Sequence, residues 1–214
     1  MSISIASNII SFMKIVETLC VVKRDNKLSN GESESDSDHG FKLCFLAMMV
    51  MPYLKEKADY TKILEMALVH DIVEARSGDI SMSAQQNNPD LKAQKKAAEK
   101  EAIAYYKSVL PAPLNAKIYD LFMEYEARET REAKLVYALD KLEAHLQANW
   151  HKDGDVHYWG DCPNGHLYYE IAARKTPAPE EKALRFLNEE ILDDLETLIY
   201  KLAQENMAKC GITL

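Results

Sequence analysis

The sequence has few of the features that mark a secreted or membrane-embedded protein. Its 214 residues include four cysteines, none in a CxxC pair, at positions Cys20, Cys44, Cys162 and Cys210. At this length a disulfide framework is not expected, so the predicted location is the reducing cytoplasm. No apolar run is long enough to cross a membrane, and the N-terminus lacks the basic segment of a signal peptide.

An excess of positive charge is also missing. The formal net charge is −8 at pH 7, which argues against a general binder of DNA or RNA. This balance still allows a small phosphate ester to bind at a local positive site. With 47% hydrophobic and 28% charged residues, the composition is that of a soluble globular domain, and the length suits one domain with a sizeable core.

Alternating β-branched runs are nearly absent, and almost every periodic segment has helical spacing. We therefore predict an all-α fold in which the polar segments 24–37 and 79–88 form loops. Asp59 is a plausible helix N-cap, and Pro89 suits the first turn of a helix. The predicted helices cover residues 5–23, 38–54, Asp59 to just before Gly78, 89–108, 111–127 and 129–151.

The character of the sequence changes after residue 150. The segment "HKDGDVHYWGDCPNGHLYY" is rich in glycine and aromatic residues and predicts an irregular insertion, and a last long helix follows over residues 179–208. We divide the chain into a helical bundle, residues 1–150, and a C-terminal extension, residues 151–214, that packs on the same domain.

Ionisable residues interrupt an amphipathic helix in the segment "ILEMALVHDIVEARSGDI". The apolar stripe of this helix runs into His70, Asp71 and Glu74, and His70 and Glu74 share a face because they are four residues apart. Partly buried charges are costly unless they are paired or bind a metal. For a single His–Asp pair, a core histidine beside a salt-bridged acid is the simpler interpretation.

Two other predicted helices carry similar groups near their apolar faces. His39 heads the stripe formed by Leu43, Leu46 and Val50, and Asp140 lies beside a leucine stripe in "LVYALDKLEAHL". Two histidines and two aspartates are a mixed ligand set that suits a borderline or hard divalent metal with open water positions. They do not suit a closed thiolate zinc site. Spacing alone does not establish that these four residues converge.

These segments resemble the HD-domain metal-dependent phosphohydrolases, and within them the branch of the bacterial 5′-deoxynucleotidases and related HD-domain hydrolases. The resemblance covers residues 14–149. It rests on "ES" shortly before His39, on "ALVHDIVEARSGDI" and on "EYEARETREAKLVYALDKLEAHLQ". It implies an HD-domain helical bundle that holds one divalent metal ion, which could be Mn, Co, Zn, Fe, Ni or Mg.

The resemblance also implies roles for particular residues. It implies four metal ligands, which are His39, His70, Asp71 and Asp140. It makes Glu74 the general acid/base and places Arg24 against the phosphate of the substrate. Asp79 would lie at the pocket mouth, near the attacking water or the sugar, with a catalytic or a substrate-binding role.

The implied activity is metal-dependent hydrolysis of a small nucleotide, in particular of a nucleoside 5′-monophosphate. Two alternatives stay open. One is hydrolysis of another phosphorylated metabolite or of a polyphosphorylated nucleotide, and the other is a non-enzymatic metal-binding or nucleotide-binding regulatory module. We also expect a homodimer, because relatives are often dimers and the first and last helices offer more apolar surface than one small bundle needs.

Three further segments are given structural interpretations without a role in the site. The acidic "ESESDSD" is interpreted as a solvated loop. The lysine-rich "KAQKKAAEKEA" is interpreted as a solvated helix face with intrahelical ion pairs. Met48, Met49 and Met51 are interpreted as residues that fill the core.

Overall fold

Helices dominate the protein, as predicted. The computed structural model describes residues 5–80, 85, 88–150, 186, 187, 189 and 190. A short antiparallel hairpin is formed by β1 (Lys23–Lys27) and β2 (Ser33–Ser35), and a 3₁₀ turn, Met51–Tyr53, follows the second helix. The helices are α1 (Ile5–Thr18), α2 (Asp36–Val50), α3 (Tyr60–Val69), α4 (Glu74–Ser77), α5 (Pro89–Val109), α6 (Leu114–Ala127) and α7 (Arg131–Trp150).

The hairpin lies where a loop was predicted, so the prediction for residues 24–37 is wrong. Its strands contain no apolar alternation because polar contacts hold them to α7. Asn26 Nδ2 donates to Ala144 O at 3.1 Å, and Gln147 Nε2 donates to Lys27 O at 2.6 Å. Tertiary contacts of this kind override strand propensity. The first helix ends at Thr18, earlier than the predicted residue 23.

A capping box starts α2 two residues before its predicted beginning. The side chain of Ser35 accepts from Asp38 N at 3.1 Å, and Asp38 Oδ2 accepts from Ser35 N at 2.9 Å. Such a reciprocal cap satisfies two backbone donors at the start of a helix. It places His39, which is fully buried, on the inward face of the first turn.

The predicted helix from Asp59 to Gly78 is broken in the structure. Asp59 is its N-cap, as predicted, and accepts from Lys62 N at 3.0 Å. The helix ends at Val69, and residues 70–73 form a turn in which Glu74 N bonds to Asp71 O, three residues back, at 2.9 Å. The assumption that one continuous helix joins His70 to Glu74 is therefore wrong.

Two hydrophobic cores meet at this break. The first core lies between α2, α3, α6 and α7 and includes Leu43, Met66 and Leu142. The second lies between α1, α5 and α6 and includes Ile103, together with Val73 from the turn. Val69, at the end of α3, packs against both cores, so the His70–Asp71 turn lies between them.

The predicted insertion and most of the predicted last helix lie outside the described residues. Leu187 is fully buried in the first core, and Arg131 Nη2 is 2.6 Å from Glu190 Oε2. Met48 and Met49 are 47% and 57% exposed, so their assignment to the core is wrong. Among the residues described, no helix has the length and apolar character needed to cross a bilayer.

Candidate metal centre

Three of the predicted site residues converge at the break after α3. His70 Nε2 lies 3.1 Å from Asp71 Oδ2, and His39 Nε2 lies 3.9 Å from the same oxygen. Potential ligand atoms of the three residues all lie within 4.8 Å of one another. The structure thus joins α2 to the α3–α4 turn through two imidazoles and one carboxylate.

The other ring nitrogen of each histidine has an acceptor of its own. His70 Nδ1 donates to Ala67 O at 2.8 Å, and His39 Nδ1 donates to Glu143 Oε2 at 2.5 Å. These acceptors orient both rings so that Nε2 faces the cluster. Both Nε2 atoms are buried and have no hydrogen-bond partner. Two such atoms aimed at one carboxylate oxygen fit a bound metal ion.

Asp140 joins the cluster from α7. Its Oδ1 lies 3.1 Å from His39 Nε2, while its Oδ2 accepts from Tyr125 Oη at 2.8 Å and from Lys141 Nζ at 3.0 Å. Burial would raise the pKa of this carboxyl, but Lys141 and His39 hold it well below its usual range. Asp140 is therefore an anion with one oxygen directed at His39.

Arg24 reaches the same cluster from β1. Nη1 of Arg24 donates to Asp71 Oδ2 at 3.0 Å, and Nε lies 3.4 Å from Glu34 Oε2. Asp36 adds a third carboxylate at 3.6 Å. Burial would lower the pKa of the guanidinium, but Asp71 and Asp140 raise it above its ordinary value. Arg24 thus keeps its charge beside the residues that could hold a metal.

Glu74 and Asp79 lie in a second acidic group that also contains Asp36, within 4.8 Å of one another. Lys95 Nζ donates to Glu74 Oε1 at 2.9 Å and lies 3.5 Å from Asp79 Oδ1. Burial, Asp71 and Asp79 raise the pKa of Glu74 to about 10, against the opposing effect of Lys95. A carboxyl group with a raised pKa is suited to exchange a proton with a bound reactant.

Of the two interpretations of charged segments, that of the acidic segment is wrong, and that of the lysine-rich segment fails at one residue. Within the acidic segment, Glu34, Ser35 and Asp36 are buried, so this is not a solvated loop. Within the lysine-rich segment, Lys95 does not lie on the solvated face, because its side chain is only 19% exposed. It still forms an intrahelical ion pair with Glu99 at 3.7 Å. Both errors arise because sequence patterns do not show which polar groups meet across the fold.

A buried polar network behind His39 was also missed. Glu143 Oε1 lies 2.8 Å from Lys42 Nζ, which bonds in turn to Glu34 Oε1 and to Gln147 Oε1. One available signal was the spacing on α7, where Glu143 follows Asp140 by three residues and so lies on the same side of the helix.

The chain matches a family model described as "HD domain" over residues 16–162. It is 32% identical to a human protein named 5′-deoxynucleotidase HDDC2 over 177 residues, covering 82% of this chain and 81% of that one. It is 33% identical to the Danio rerio protein of the same name over 148 residues, covering 68% of this chain and 70% of that one.

Solved structures share the fold. The crystal structure of a predicted metal-dependent phosphohydrolase from Magnetospirillum magnetotacticum matches 99% of this chain and 97% of its own, with a TM-score of 0.74 at 24% identity. The PH0347 protein of Pyrococcus horikoshii covers 84% and 96% of the two chains with a TM-score of 0.56 at 28% identity.

The helical bundle and its buried histidine–aspartate cluster define a metal-dependent phosphohydrolase. The chain belongs to the HD-domain family. It is therefore an enzyme that uses a divalent metal ion, and the alternative of a non-enzymatic binding module is not retained.

Proposed function

We propose that this phosphohydrolase hydrolyses a nucleoside 5′-monophosphate, with one divalent ion held by His39, His70, Asp71 and Asp140. Its relatives named 5′-deoxynucleotidase support the substrate class. The observation that carries the metal site is the pair of buried Nε2 atoms, without hydrogen-bond partners, that face Asp71 Oδ2. When bound, a divalent ion supplies Lewis-acid polarisation of the phosphoryl group and a more acidic water.

Arg24 is proposed to bind the phosphate of the substrate. Its guanidinium lies 3.0 Å from Asp71, so a phosphate held beside this ligand comes within reach of the same group. A guanidinium offers a rigid fork of donors that matches two phosphate oxygens. In a protein with a net charge of −8, Arg24 supplies a cationic group at the place where the anionic phosphate is proposed to bind.

Glu74 is proposed to transfer a proton between the attacking water and the leaving 5′ oxygen. Because its pKa is raised, Glu74 starts as the protonated acid and donates its proton to the 5′ oxygen as the ester bond between phosphorus and that oxygen breaks. The water oxygen forms its bond to phosphorus and returns one proton to Glu74, which gives a nucleoside and inorganic phosphate. Asp79, which lies beside Glu74, is proposed to hold the water or the sugar at the pocket mouth.

A substrate panel tests this function. The protein is loaded with Mn²⁺, Co²⁺ or Mg²⁺, and phosphate release is measured from ribo- and deoxyribonucleoside monophosphates, nucleoside triphosphates and sugar phosphates. We expect the monophosphates to have the highest kcat/KM. Preference for triphosphates or sugar phosphates would support the alternative substrates instead. Absence of turnover by the metal-loaded protein on every compound would reject the proposal.

The proposed assembly is a homodimer in the cytoplasm that does not bind DNA or RNA. Apolar side chains on α2 support self-association: Phe41, Phe45, Met48 and Met49 are exposed on the side opposite Leu43. A continuous apolar stripe of this kind is typical of an interaction surface. Light scattering at micromolar concentration should give twice the mass of 24.3 kDa, and a monomer mass would contradict the dimer.

A further inference from the structure

Glu34 is a fully buried carboxylate that lies between two cationic side chains. It lies on β2 opposite Arg24, because Lys23 pairs with Ser35 in the antiparallel hairpin. Its Oε1 accepts from Lys42 Nζ, and its Oε2 lies 3.4 Å from Arg24 Nε. Within the described residues Oε2 has no hydrogen-bond partner, so it depends on the charge of Arg24. A carboxylate buried in this way is costly unless cations accompany it.

The position of Glu34 is fixed by three elements of the fold. Ser35, the next residue, caps α2, so the end of β2 is joined directly to the start of that helix. Lys42 of α2 is held in turn from α7, by Glu143 Oε1 at 2.8 Å and by Gln147 Oε1 at 2.5 Å. A buried network with several partners of this kind is rigid. Glu34 therefore presents its Oε2 to Arg24 from a fixed place.

The guanidinium of Arg24 is oriented by its carboxylate neighbours. Among the described residues these contacts use Nε, which faces Glu34, and Nη1, which donates to Asp71 Oδ2 at 3.0 Å and lies 3.6 Å from Asp36 Oδ1. Because a guanidinium is planar, a carboxylate at Nε fixes the direction in which the donors of Nη2 point.

We propose that Glu34 is a positioning residue for the phosphate of the substrate: it holds Arg24 Nε so that Nη2 donates to the phosphate beside Asp71. This inference rests on the proposed binding of the phosphate by Arg24. Glu34 has no exposed surface and carries the same sign of charge as a phosphate, so it acts through Arg24 and not by touching the substrate.

The test compares Glu34→Gln with Glu32→Gln, which makes the same change at an exposed position two residues earlier. Inorganic phosphate is titrated into protein that holds one equivalent of Mn²⁺, and the broadening of its phosphorus resonance by that ion gives the dissociation constant. We expect Glu34→Gln to keep its Mn²⁺ and to bind phosphate about tenfold more weakly, roughly the effect of losing one hydrogen bond to a charged group. Glu32→Gln should match the wild type, and equal phosphate affinity in the two variants would overturn the inference.

A double-mutant cycle with Arg24→Lys shows whether Glu34 acts through Arg24. Lysine keeps the charge but has no planar fork to orient, so Glu34→Gln should weaken phosphate binding little further in the Arg24→Lys background. An equal loss in both backgrounds would mean that the two residues act independently, which also overturns the inference. If Glu34→Gln does not fold, Glu34→Asp replaces it in both comparisons, because it keeps the charge but withdraws the carboxylate from Nε by one methylene group.

Kinetics separate this inference from the proposed function. Where monophosphates are hydrolysed, Glu34→Gln should raise KM with a smaller change in kcat, because the phosphate contact is present both before and during the reaction. An active wild type with an unchanged KM in Glu34→Gln overturns only the positioning role. If phosphate affinity depends on Glu34 and Arg24 but no nucleotide is hydrolysed, the positioning role holds and only the proposed substrate fails. Failure of the Mn²⁺-loaded wild type to bind phosphate would reject both the role of Arg24 and this inference.

Discussion

Glu143 accepts a hydrogen bond from His39 Nδ1 at 2.5 Å, although the two residues are 104 positions apart. This contact turns the opposite edge of the ring, with its Nε2, towards Asp71 and Asp140. Lys42 holds the other oxygen of Glu143 at 2.8 Å. The orientation of a proposed metal ligand on α2 thus depends on a buried carboxylate from α7.

The first prediction follows from this relationship. Glu143→Gln should weaken Mn²⁺ binding by about 10–100-fold, as is typical when the partner of a metal-binding histidine is changed. The amide can accept from only one of its two neighbours, so either His39 or Lys42 faces an NH₂ group. Calorimetric titration with Mn²⁺ measures the effect. Glu126→Gln, an exposed change on α6, is the control, and equal affinity in both variants would contradict the prediction.

The second prediction separates ligand from proton carrier. Asp140→Ala should lose metal affinity and activity together, and added Mn²⁺ should no longer raise its melting temperature, because a ligand stabilises only the state that binds it. Glu74→Ala should keep its metal but lose about 10²–10⁴-fold in kcat. Metal stoichiometry and turnover are measured side by side for the two variants. Loss of metal in Glu74→Ala would make Glu74 a ligand, and full activity would make Asp79 the next candidate.

The third prediction concerns Arg24. Arg24→Ala should retain the metal but turn over monophosphates poorly, and Arg24→Lys should recover only part of the activity because an ammonium group cannot reproduce the guanidinium fork. Lys23→Ala, at an exposed position beside it, is the control for the loss of charge. Steady-state kinetics measure the turnover of each variant, and elemental analysis measures its metal content. Unchanged kinetics in Arg24→Ala would mean that the phosphate binds elsewhere.

The fourth prediction is a dependence of stability on pH in chelator-treated protein. The folded state raises the pKa of Glu74 from 4.5 to about 10, mainly through burial, so it favours the protonated form. The resulting stability is fully present below pH 4.5 and is lost as pH rises towards 10. Glu74→Gln removes this loss, so its melting temperature should exceed that of the wild type by a margin that grows from pH 5 to 9. A constant margin, as expected for Glu126→Gln, would show that Glu74 ionises freely in the fold.

Local chemistry in the sequence was sufficient to predict much of the helical framework. Asp59 caps α3 and Pro89 begins α5, as expected, because capping and proline geometry depend on a few adjacent residues. Apolar periodicity likewise indicated that His39 faces the core, and His39 is buried. The assignment of metal and substrate roles came from the resemblance to a family and stays a prediction for each residue.

Contacts between residues far apart in the sequence decided the hairpin and the arrangement of the site. The hairpin and α7 are joined by side chain-to-backbone bonds in both directions, from Asn26 to Ala144 O and from Gln147 to Lys27 O. No pattern within residues 23–35 specifies such partners. The turn at residues 70–73 separates His70 from Glu74 and directs Glu74 to Lys95 on α5. Helical periodicity describes one element at a time, whereas the protonation and orientation of a buried ionisable group depend on the charges that other elements bring to it. The sequence by itself therefore determined the helices and the residues on their inward faces, and only the tertiary structure decided which of those residues meet.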